Sequence, residues 1–430
     1  RQKIIIRRFD LKSKQKSISK NKRHLVTIDQ ISKKTSDAPF GTQLKSKDYA
    51  ESGIPVIQGR NIKENKFHWN NKKYTSKEKF DSLPRSHCSK GDLIFPKIGT
   101  IGNVCILPSI EGNEQCILST NSMSCSINEK LADPNYIYYY FCQKKIHDYI
   151  NSTSRGSTQP IFNYGMLKAF SIEIPSLEIQ LKVSKILQEL DSKIENLQNQ
   201  NKILEQMAQT IFKSWFVDFD GVTEFEDSEL GEIPKGWNVK RVKEIAEFNP
   251  ENIGKDSIFS EIYYLDTSSV TEGKLTDIQR LAKNDAPSRA KRLVKKNDIL
   301  ISTVRPNLKH YYFIKNPREN LVVSTGFVVV RSKKISPFHL YYLITSDSFT
   351  EYLTGVADSH TSAYPSFPSE IIENTKICLP DIESDSISSS FNKILNPMFE
   401  KLEYNENQIR SLTKTRDALL PKLMSGEIRA

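Results

Sequence analysis

The sequence has no pair of cysteines spaced as Cys-x-x-Cys, and this absence excludes the commonest zinc and redox motifs. Its six cysteines are more typical of reduced thiols in the cytosol than of a disulfide framework. The seven histidines show no metal-ligand spacing, so each is interpreted as an ordinary surface or core side chain. We therefore expect no metal site in this chain.

Long apolar runs are also missing, since stretches such as Ile299 to Ile301 fall far below the ~18 residues needed to cross a bilayer. No apolar segment of the signal-peptide type follows the basic start of the chain. These absences disfavour membrane insertion and secretion, and predict a cytoplasmic protein. Hydrophobic residues still make up 37% of the 430 residues, which is enough for folded cores and suggests two or three domains.

Enzyme motifs are absent as well: the sequence contains no Gly-x-Gly, Gly-x-Ser-x-Gly or His-Glu-x-x-His. Gly254-Lys255 is followed by Asp256 rather than by Ser or Thr, so no phosphate-binding loop is predicted. Asp191-Ser192-Lys193 echoes half of a nuclease motif, but it lies on a predicted helix, where exposed surface charge is the better interpretation. We expect no catalytic residue.

Charge is distributed unevenly along the chain, whose net charge is +11. Residues 1–23 carry ten Lys or Arg against one Asp, and are interpreted as a flexible leader. Residues 218–235 hold seven acidic side chains and are interpreted as a linker, which would avoid a phosphate backbone. The remaining excess lies in two modestly basic blocks.

An internal duplication appears when the chain is aligned on itself at an offset of about 205 residues. Gly91-Asp92 and Asn297-Asp298 each precede an apolar strand. Asp133-Pro134 and Ser336-Pro337 each place a capping residue and a proline before an aromatic-rich helix. Two further pairs also correspond: Ser119-Thr120 with Ser324-Thr325, and Ile174-Pro175 with Leu379-Pro380. Two similar domains are predicted.

Two long heptad patterns follow these domains, one from Val183 to Trp215 and one from Leu395 to Leu423. Asn201 and Asn405 occupy seam positions near the middle, where a buried Asn can fix the register if it meets a polar partner. We predict an antiparallel coiled coil that brings these two residues together. Separate packing of each helix on its own domain is the alternative.

Two basic clusters are candidates for DNA contacts, because cations can bind phosphates and amides can bind adenine edges. The alternative is a solvated basic rim. A Ser/Gly-rich loop adds weaker candidates that turn chemistry alone would explain. The candidates are Arg60, Asn61, Lys63, Lys66, Trp69, Lys72, Lys73 and Tyr74 in the first block, Arg155 and Gln159 in the loop, and Arg289, Lys291, Arg292, Lys295, Arg305, Asn307, Lys309 and His310 in the second block.

Taken together, the motifs resemble the specificity subunit of a type I restriction-modification system. The resemblance spans residues 24–427 and depends on their order along the chain. The motifs are Gly91-Asp92-Leu93-Ile94-Phe95, Gly99-Thr100-Ile101-Gly102, Ile174 to Gln180, Trp215 to Phe219, Leu230 to Trp237, Asp298-Ile299-Leu300, Val304 to Asn307 and Arg416 to Gly426.

The resemblance implies an α+β protein with two similar target-recognition domains, separated by two long spacer helices that form an antiparallel coiled coil. It implies that each domain reads one part of a split DNA site, and that the helices dock two modification subunits. S-adenosylmethionine, ATP and Mg would belong to modification and restriction partners. A coiled-coil DNA-binding regulator unrelated to restriction is the alternative. The predicted segments are 1–23 (leader), 24–175 (first domain), 176–217 (first helix), 218–235 (linker), 236–380 (second domain), 381–424 (second helix) and 425–430 (tail).

Overall fold

The structure is a computed structural model that describes residues 23–39, 41, 43–153, 160–254, 257–360, 365–381 and 386–430. It divides into two compact units. The first unit comprises the described residues up to Glu195 together with Arg410–Ala430, and the second runs from Asn196 to Ile409. The predicted leader, residues 1–23, lies outside the described residues except for Arg23.

The first unit contains two four-stranded sheets, with strand orders β6-β3-β10-β7 and β2-β11-β8-β9, and the pairs β1-β12 and β4-β5. Buried apolar runs such as Leu93–Pro96 form the centre of a sheet, where Phe95 lies opposite Met123. Its strands are β1 (His24–Thr27), β2 (Ser32–Asp37), β3 (Ile54–Ile57), β4 (Ile62–Lys63), β5 (Lys66–Phe67), β6 (Tyr74–Thr75), β7 (His87–Ser89), β8 (Leu93–Pro96), β9 (Cys105–Ile106), β10 (Gln115–Leu118), β11 (Ser122–Ile127) and β12 (Ser171–Ile174).

The second unit repeats this topology, with sheet orders β20-β17-β24-β21 and β16-β25-β22-β23 and the pairs β15-β26 and β18-β19. The parallel pair β3-β10 also recurs as β17-β24. Its strands are β13 (Phe225–Ser228), β14 (Gly231–Pro234), β15 (Asn238–Arg241), β16 (Ala246–Phe248), β17 (Glu261–Leu265), β18 (Val270–Thr271), β19 (Lys274–Leu275), β20 (Gln279–Ala282), β21 (Ala290–Leu293), β22 (Ile299–Ser302), β23 (Tyr311–Phe313), β24 (Leu321–Ser324), β25 (Phe327–Ser332) and β26 (Lys376–Leu379). The predicted duplication is confirmed.

Most of the helices also repeat. They are α1 (Ile28–Ile31), α2 (Lys77–Asp81), α3 (Pro134–Cys142), α4 (Lys144–Thr153), α5 (Tyr164–Ala169), α6 (Leu177–Phe216), α7 (Pro337–Ile344), α8 (Asp347–His360), α9 (Glu370–Asn374) and α10 (Ser386–Ser425). Helices α3 to α6 recur as α7 to α10, whereas 3₁₀ turns stand in the second unit at the places of α1 and α2. Helices α3 and α7 begin as predicted, since Asp133 accepts a hydrogen bond from Tyr136 N at 3.0 Å and Ser336 accepts one from His339 N at 3.3 Å.

The repeated Gly-Asp and Asn-Asp pairs have a conformational cause. Gly91 and Asn297 both adopt the left-handed region, with φ of 90° and 71°, which glycine and asparagine tolerate best. Asp92 Oδ2 then accepts from Ser89 N at 2.9 Å, and Asp298 Oδ2 accepts from Lys295 N at 2.7 Å. The same turn therefore leads into the central strands β8 and β22.

The long helices pair antiparallel within each unit, as predicted. In the first unit, Val183 and Leu187 near the start of α6 share a core with Leu423 and Met424 at the end of α10. In the second unit, Trp215 near the end of α6 lies 6.0 Å from the ring of Phe391 near the start of α10. Helix α10 is continuous through Pro397.

The predicted meeting of the two seam asparagines is confirmed in the second unit. Asn405 is fully buried, and its Nδ2 donates to Asn201 Oδ1 at 2.8 Å. Asn405 Oδ1 has no hydrogen-bond partner in the described part of the chain. A role for this pair in fixing the register stays a prediction.

The stretch predicted as an acidic linker is more ordered than that term implies. Residues 225–228 and 231–234 form the antiparallel hairpin β13-β14. The ring of Phe219 lies 5.3 Å from that of Trp237, which is buried in the core of the second unit. Apolar side chains thus anchor this acidic segment. Helix α10 also extends one residue beyond its predicted end, to Ser425.

Candidate nucleic-acid interface

A short turn after strand β3 carries the first predicted candidates. Gly59–Asn61 forms a 3₁₀ turn, and Asn61 is buried beneath it. Asn61 Oδ1 accepts from Gln58 N at 2.8 Å, while its Nδ2 donates to His68 O at 2.9 Å and to Asn70 O at 3.1 Å. The Asn61 amide therefore stabilises the loop, and the structure does not present it for the predicted contact with a base.

A cleft of about 370 Å³ lies beside this turn, where three loops of the first unit meet. Two of these loops approach so closely that a Cβ on Gly59 would lie only 2.8 Å from Asn121 O. Thr100 Oγ1 donates to Ile62 O at 3.1 Å and so ties a second loop to the turn. The lining residues are Tyr49, Gln58, Gly59, Arg60, Ile98, Gly99, Thr100, Ser119, Thr120 and Asn121.

Two of the predicted cations flank this cleft. Arg60 is exposed, and its Nε donates to Gln58 Oε1 at 2.8 Å. Lys73 Nζ lies 6.0 Å from the ring centroid of Tyr49, on the cleft wall. A polar concave surface with adjacent cations can bind a phosphate and a base edge together.

Three other candidates of the first cluster are engaged in contacts within the protein. Lys72 Nζ lies 2.5 Å from Glu111 Oε1, and Tyr74 Oη donates to Glu111 Oε2 at 2.6 Å. The hydrogen bonds from Lys72 and Tyr74 lower the pKa of the Glu111 carboxyl, so the pair is ionised. Trp69 packs between Phe67 and Tyr74, with ring centroids 6.0 and 5.8 Å away. Packing and ion pairing thus account for these residues.

Lys63 and Lys66 belong to the hairpin β4-β5 rather than to the lining of the cleft. The two residues at its tip, Glu64 and Asn65, have positive φ values of 54° and 57°, as tight two-residue hairpins require. Tyr138 Oη donates to Asn65 O at 3.0 Å, which docks the hairpin on helix α3.

In the second unit, the backbone brings Arg289 and Arg305 near one loop. Thr325 N donates to Arg289 O at 2.8 Å. Thr303, which lies two residues before Arg305, donates through its N to Gly326 O at 2.9 Å. Arg305 and Lys309 have left-handed backbone conformations and lie on either side of the 3₁₀ turn Pro306–Leu308, in which Asn307 is exposed. This turn places exposed polar side chains beside the end of β24.

The remaining candidates of the second block differ in accessibility. Lys309 pairs with Asp347 at 2.7 Å, Lys295 pairs with Glu251 at 2.5 Å, and His310 Nδ1 lies 2.5 Å from Thr267 O. Lys291 is exposed, whereas Arg292 is half-buried. Burial lowers the pKa of Arg292, whose Nη1 has no hydrogen-bond partner in the described part of the chain.

Arg155 and Gln159 lie outside the described residues. The cleft residues Tyr49, Gln58 and Thr120 were not among the predicted candidates. One signal pointed to Thr120, since Ser119-Thr120 and Ser324-Thr325 repeat a polar pair at the end of a buried strand. Among the described residues, no three His, Cys, Asp or Glu side chains form a group that could hold a metal. Nor does this part of the chain contain a helix long and apolar enough to span a membrane.

Comparison with known proteins agrees with this architecture. Residues 25–206 and 234–413 each match the family described as "Type I restriction modification DNA specificity domain". The chain is 32% identical over 306 residues to the MjaIX specificity subunit of Methanocaldococcus jannaschii, covering 68% of this chain and 69% of that one. It is 26% identical over 408 residues to the HindI specificity subunit of Haemophilus influenzae, covering 79% and 87%.

A crystal structure of the S subunit of a type I system from M. genitalium has the same fold, with a TM-score of 0.59 over 94% of this chain and 96% of that one, at 15% identity. Because the two matched stretches make up most of the sequence, the chain belongs to the type I restriction-modification DNA specificity family. Its role is DNA sequence specificity in a type I restriction-modification system.

Proposed function

We propose that this subunit reads a DNA site in two parts, one with residues 24–175 and the other with residues 236–380. Modification subunits, two per chain, dock on the long helices, and restriction subunits join the same complex. The repeated topology of the two units and the two matched family domains support this proposal.

The observation that carries the proposal is a common turn with different side chains. Gln58-Gly59-Arg60-Asn61 in the first unit corresponds to Asp266-Thr267-Ser268-Ser269 in the second. Both turns close in the same way, through Asn61 N to Gln58 O at 2.9 Å and Ser269 N to Asp266 O at 3.1 Å. A shared scaffold that presents unlike residues suits a site with two unlike halves.

In this proposal the chain itself performs no covalent chemistry. The modification subunits use S-adenosylmethionine to methylate the site, and the restriction subunits use ATP and Mg, all within the cytoplasm. Incubating the purified chain alone with DNA and S-adenosylmethionine should give no methylation. Methylation without partners would overturn this part of the proposal.

The decisive experiment expresses the chain with its modification subunit in a host and maps the methylated sites. Residues 24–175 are then exchanged for the corresponding domain of another family member. We expect one half of the split site to change and the other half to persist. The reciprocal exchange of residues 236–380 should alter the other half. A change in both halves after a single exchange contradicts the proposal.

A further inference from the structure

We propose that Arg60 reads a guanine in the major groove for the first recognition domain, and that Gln58 is its positioning residue. This inference rests on the proposed function and names one base class within the split site. Arg60 lies at the edge of the cleft, on the turn that closes over Asn61.

The turn is a rigid support for this side chain. Asn61 fastens it from below with three hydrogen bonds of 2.8 to 3.1 Å. From the side, Gly59 approaches Asn121 O so closely that even a Cβ would not fit without displacing the backbone. A reading residue must be held to a fraction of an ångström to discriminate between bases, and this turn supplies that constraint.

Arg60 also differs from two of its charged neighbours, Lys63 and Lys72. Lys63 pairs with Glu64 at 3.7 Å and Lys72 pairs with Glu111, whereas Arg60 has no carboxylate partner among the described residues. Its Nε donates to the neutral oxygen of Gln58, which fixes the plane of the guanidinium without neutralising it. Nη1 and Nη2 make no hydrogen bond to the described residues, and two parallel donors of this kind match O6 and N7 of guanine.

The second unit has no arginine at the corresponding position of its turn. Ser268 replaces Arg60, and its N and Oγ donate to Asp266 Oδ1 at 3.0 and 3.1 Å. Hydrogen bonds from within the turn thus occupy the carboxylate that replaces Gln58. We therefore assign guanine reading by this turn to the first half of the site only.

The test uses the full chain with its modification subunit. It measures binding to DNA duplexes that carry the site identified by the methylation map. Each guanine of the first half is replaced in turn by 7-deazaguanine, which lacks the N7 acceptor. For the unaltered chain, we expect one replacement to weaken binding about ten- to a hundred-fold. In the Arg60→Ala variant the same replacement should change binding less than about two-fold.

Two variants at position 58 test the positioning role. Gln58→Leu removes the acceptor for Arg60 Nε and should reduce discrimination against 7-deazaguanine. Gln58→Glu keeps an acceptor and should preserve that discrimination, while its negative charge weakens binding to both duplexes. Lys66→Ala is the matched control, because Lys66 is exposed on the neighbouring hairpin and outside the cleft lining. It should weaken binding to both duplexes equally.

The proposal is overturned if no guanine of the first half is required, or if Arg60→Ala discriminates as well as the unaltered chain does. Equal discrimination by Gln58→Leu and the unaltered chain removes the positioning role. Reading of the second half serves as an internal control for folding of each variant. A complex that binds and methylates no specific site at all would instead overturn the proposed function.

Discussion

Arg416 on helix α10 donates through Nη1 to Asp191 Oδ1 on helix α6 at 2.8 Å, within the first unit. Tyr139 Oη on helix α3 donates to the other carboxylate oxygen, Oδ2, at 2.7 Å. The Asp191 side chain, with 32% of its surface exposed, therefore joins three helices. The sequence predicted an exposed surface charge at this position, and that prediction was wrong.

Asp191→Ala should lower the stability of the first unit. The substitution leaves Arg416 and Tyr139 without their shared acceptor, which typically costs about 1–3 kcal/mol. Thermal unfolding of the full chain should show a transition a few degrees lower, roughly 2–4 °C per kcal/mol for a unit of this size. Lys193→Ala, exposed on the same helix, is the control and should leave the transition unchanged. Equal midpoints for both variants would contradict the expectation.

Asn201→Leu and Asn405→Leu should destabilise the helix pair singly but not together. Either single substitution leaves a polar amide in the seam without its main partner, at a cost of about 1–3 kcal/mol. The double variant replaces a buried polar pair with apolar contacts, which is often neutral or stabilising. Unfolding of all three variants, with the exposed Asn199→Leu as control, tests this pattern. Additive losses in the double variant would show that the two side chains do not interact.

His339 should make the second unit less stable in mild acid. It is buried against Phe216, with ring centroids 3.9 Å apart, and burial lowers its pKa from 6.5 to about 3. Below pH 6.5 the unfolded chain binds a proton that the folded chain does not, so stability is complete above that pH and declines toward pH 3. At pH 5 the loss is about 2 kcal/mol, at ~1.36 kcal/mol per pH unit.

The measurement compares unfolding midpoints at pH 8 and pH 5 for the unaltered chain and for His339→Phe. Because carboxylates contribute equally to both proteins, the difference between them isolates the histidine. We expect the variant to lose less stability on acidification. His68→Gln, on an exposed side chain, should behave like the unaltered chain. An identical pH response of His339→Phe and the unaltered chain would refute the assignment.

Gly59→Ala should disturb the first domain, since its Cβ would stand 2.8 Å from a backbone oxygen that cannot easily move. Such overpacking typically costs about 1–3 kcal/mol. Gly355→Ala is the matched control, because it lies in helix α8 with open space around it. This control should gain about 0.5–1 kcal/mol from helix propensity. Unfolding midpoints test both directions, and methylation maps should show Gly59→Ala impaired at the first half of the site.

Local patterns predicted much of this fold correctly. Gly91-Asp92 and Asn297-Asp298 look unlike each other, but one turn with a left-handed residue and a capping carboxylate accounts for both. Periodicity likewise predicted the long helices, because their seams follow from short-range spacing. Such features depend on residues within a few positions of one another.

Individual site residues could not be predicted in this way. Asp191 meets a partner 225 positions away, and Lys72 meets Glu111 across 39 positions. Nothing in the composition around Arg60 separated it from Lys72, although only one of the two is paired with a carboxylate among the described residues. The basic cluster was visible in the sequence. Which of its side chains are paired within the protein depends on tertiary contacts.

The discontinuity of the first unit has a consequence for the order in which the protein is made. At ~5–20 residues per second, a ribosome adds Leu423 and Met424 roughly 10–50 s after Glu195. Until then the apolar face of Val183 and Leu187 lacks its partner, whereas the second unit, continuous from Asn196 to Ile409, is already complete. The unit whose translation begins first is therefore the last to complete its hydrophobic core. A nonsense codon just after Ile409 would leave the core of the first unit incomplete, while the second unit would retain all of its residues.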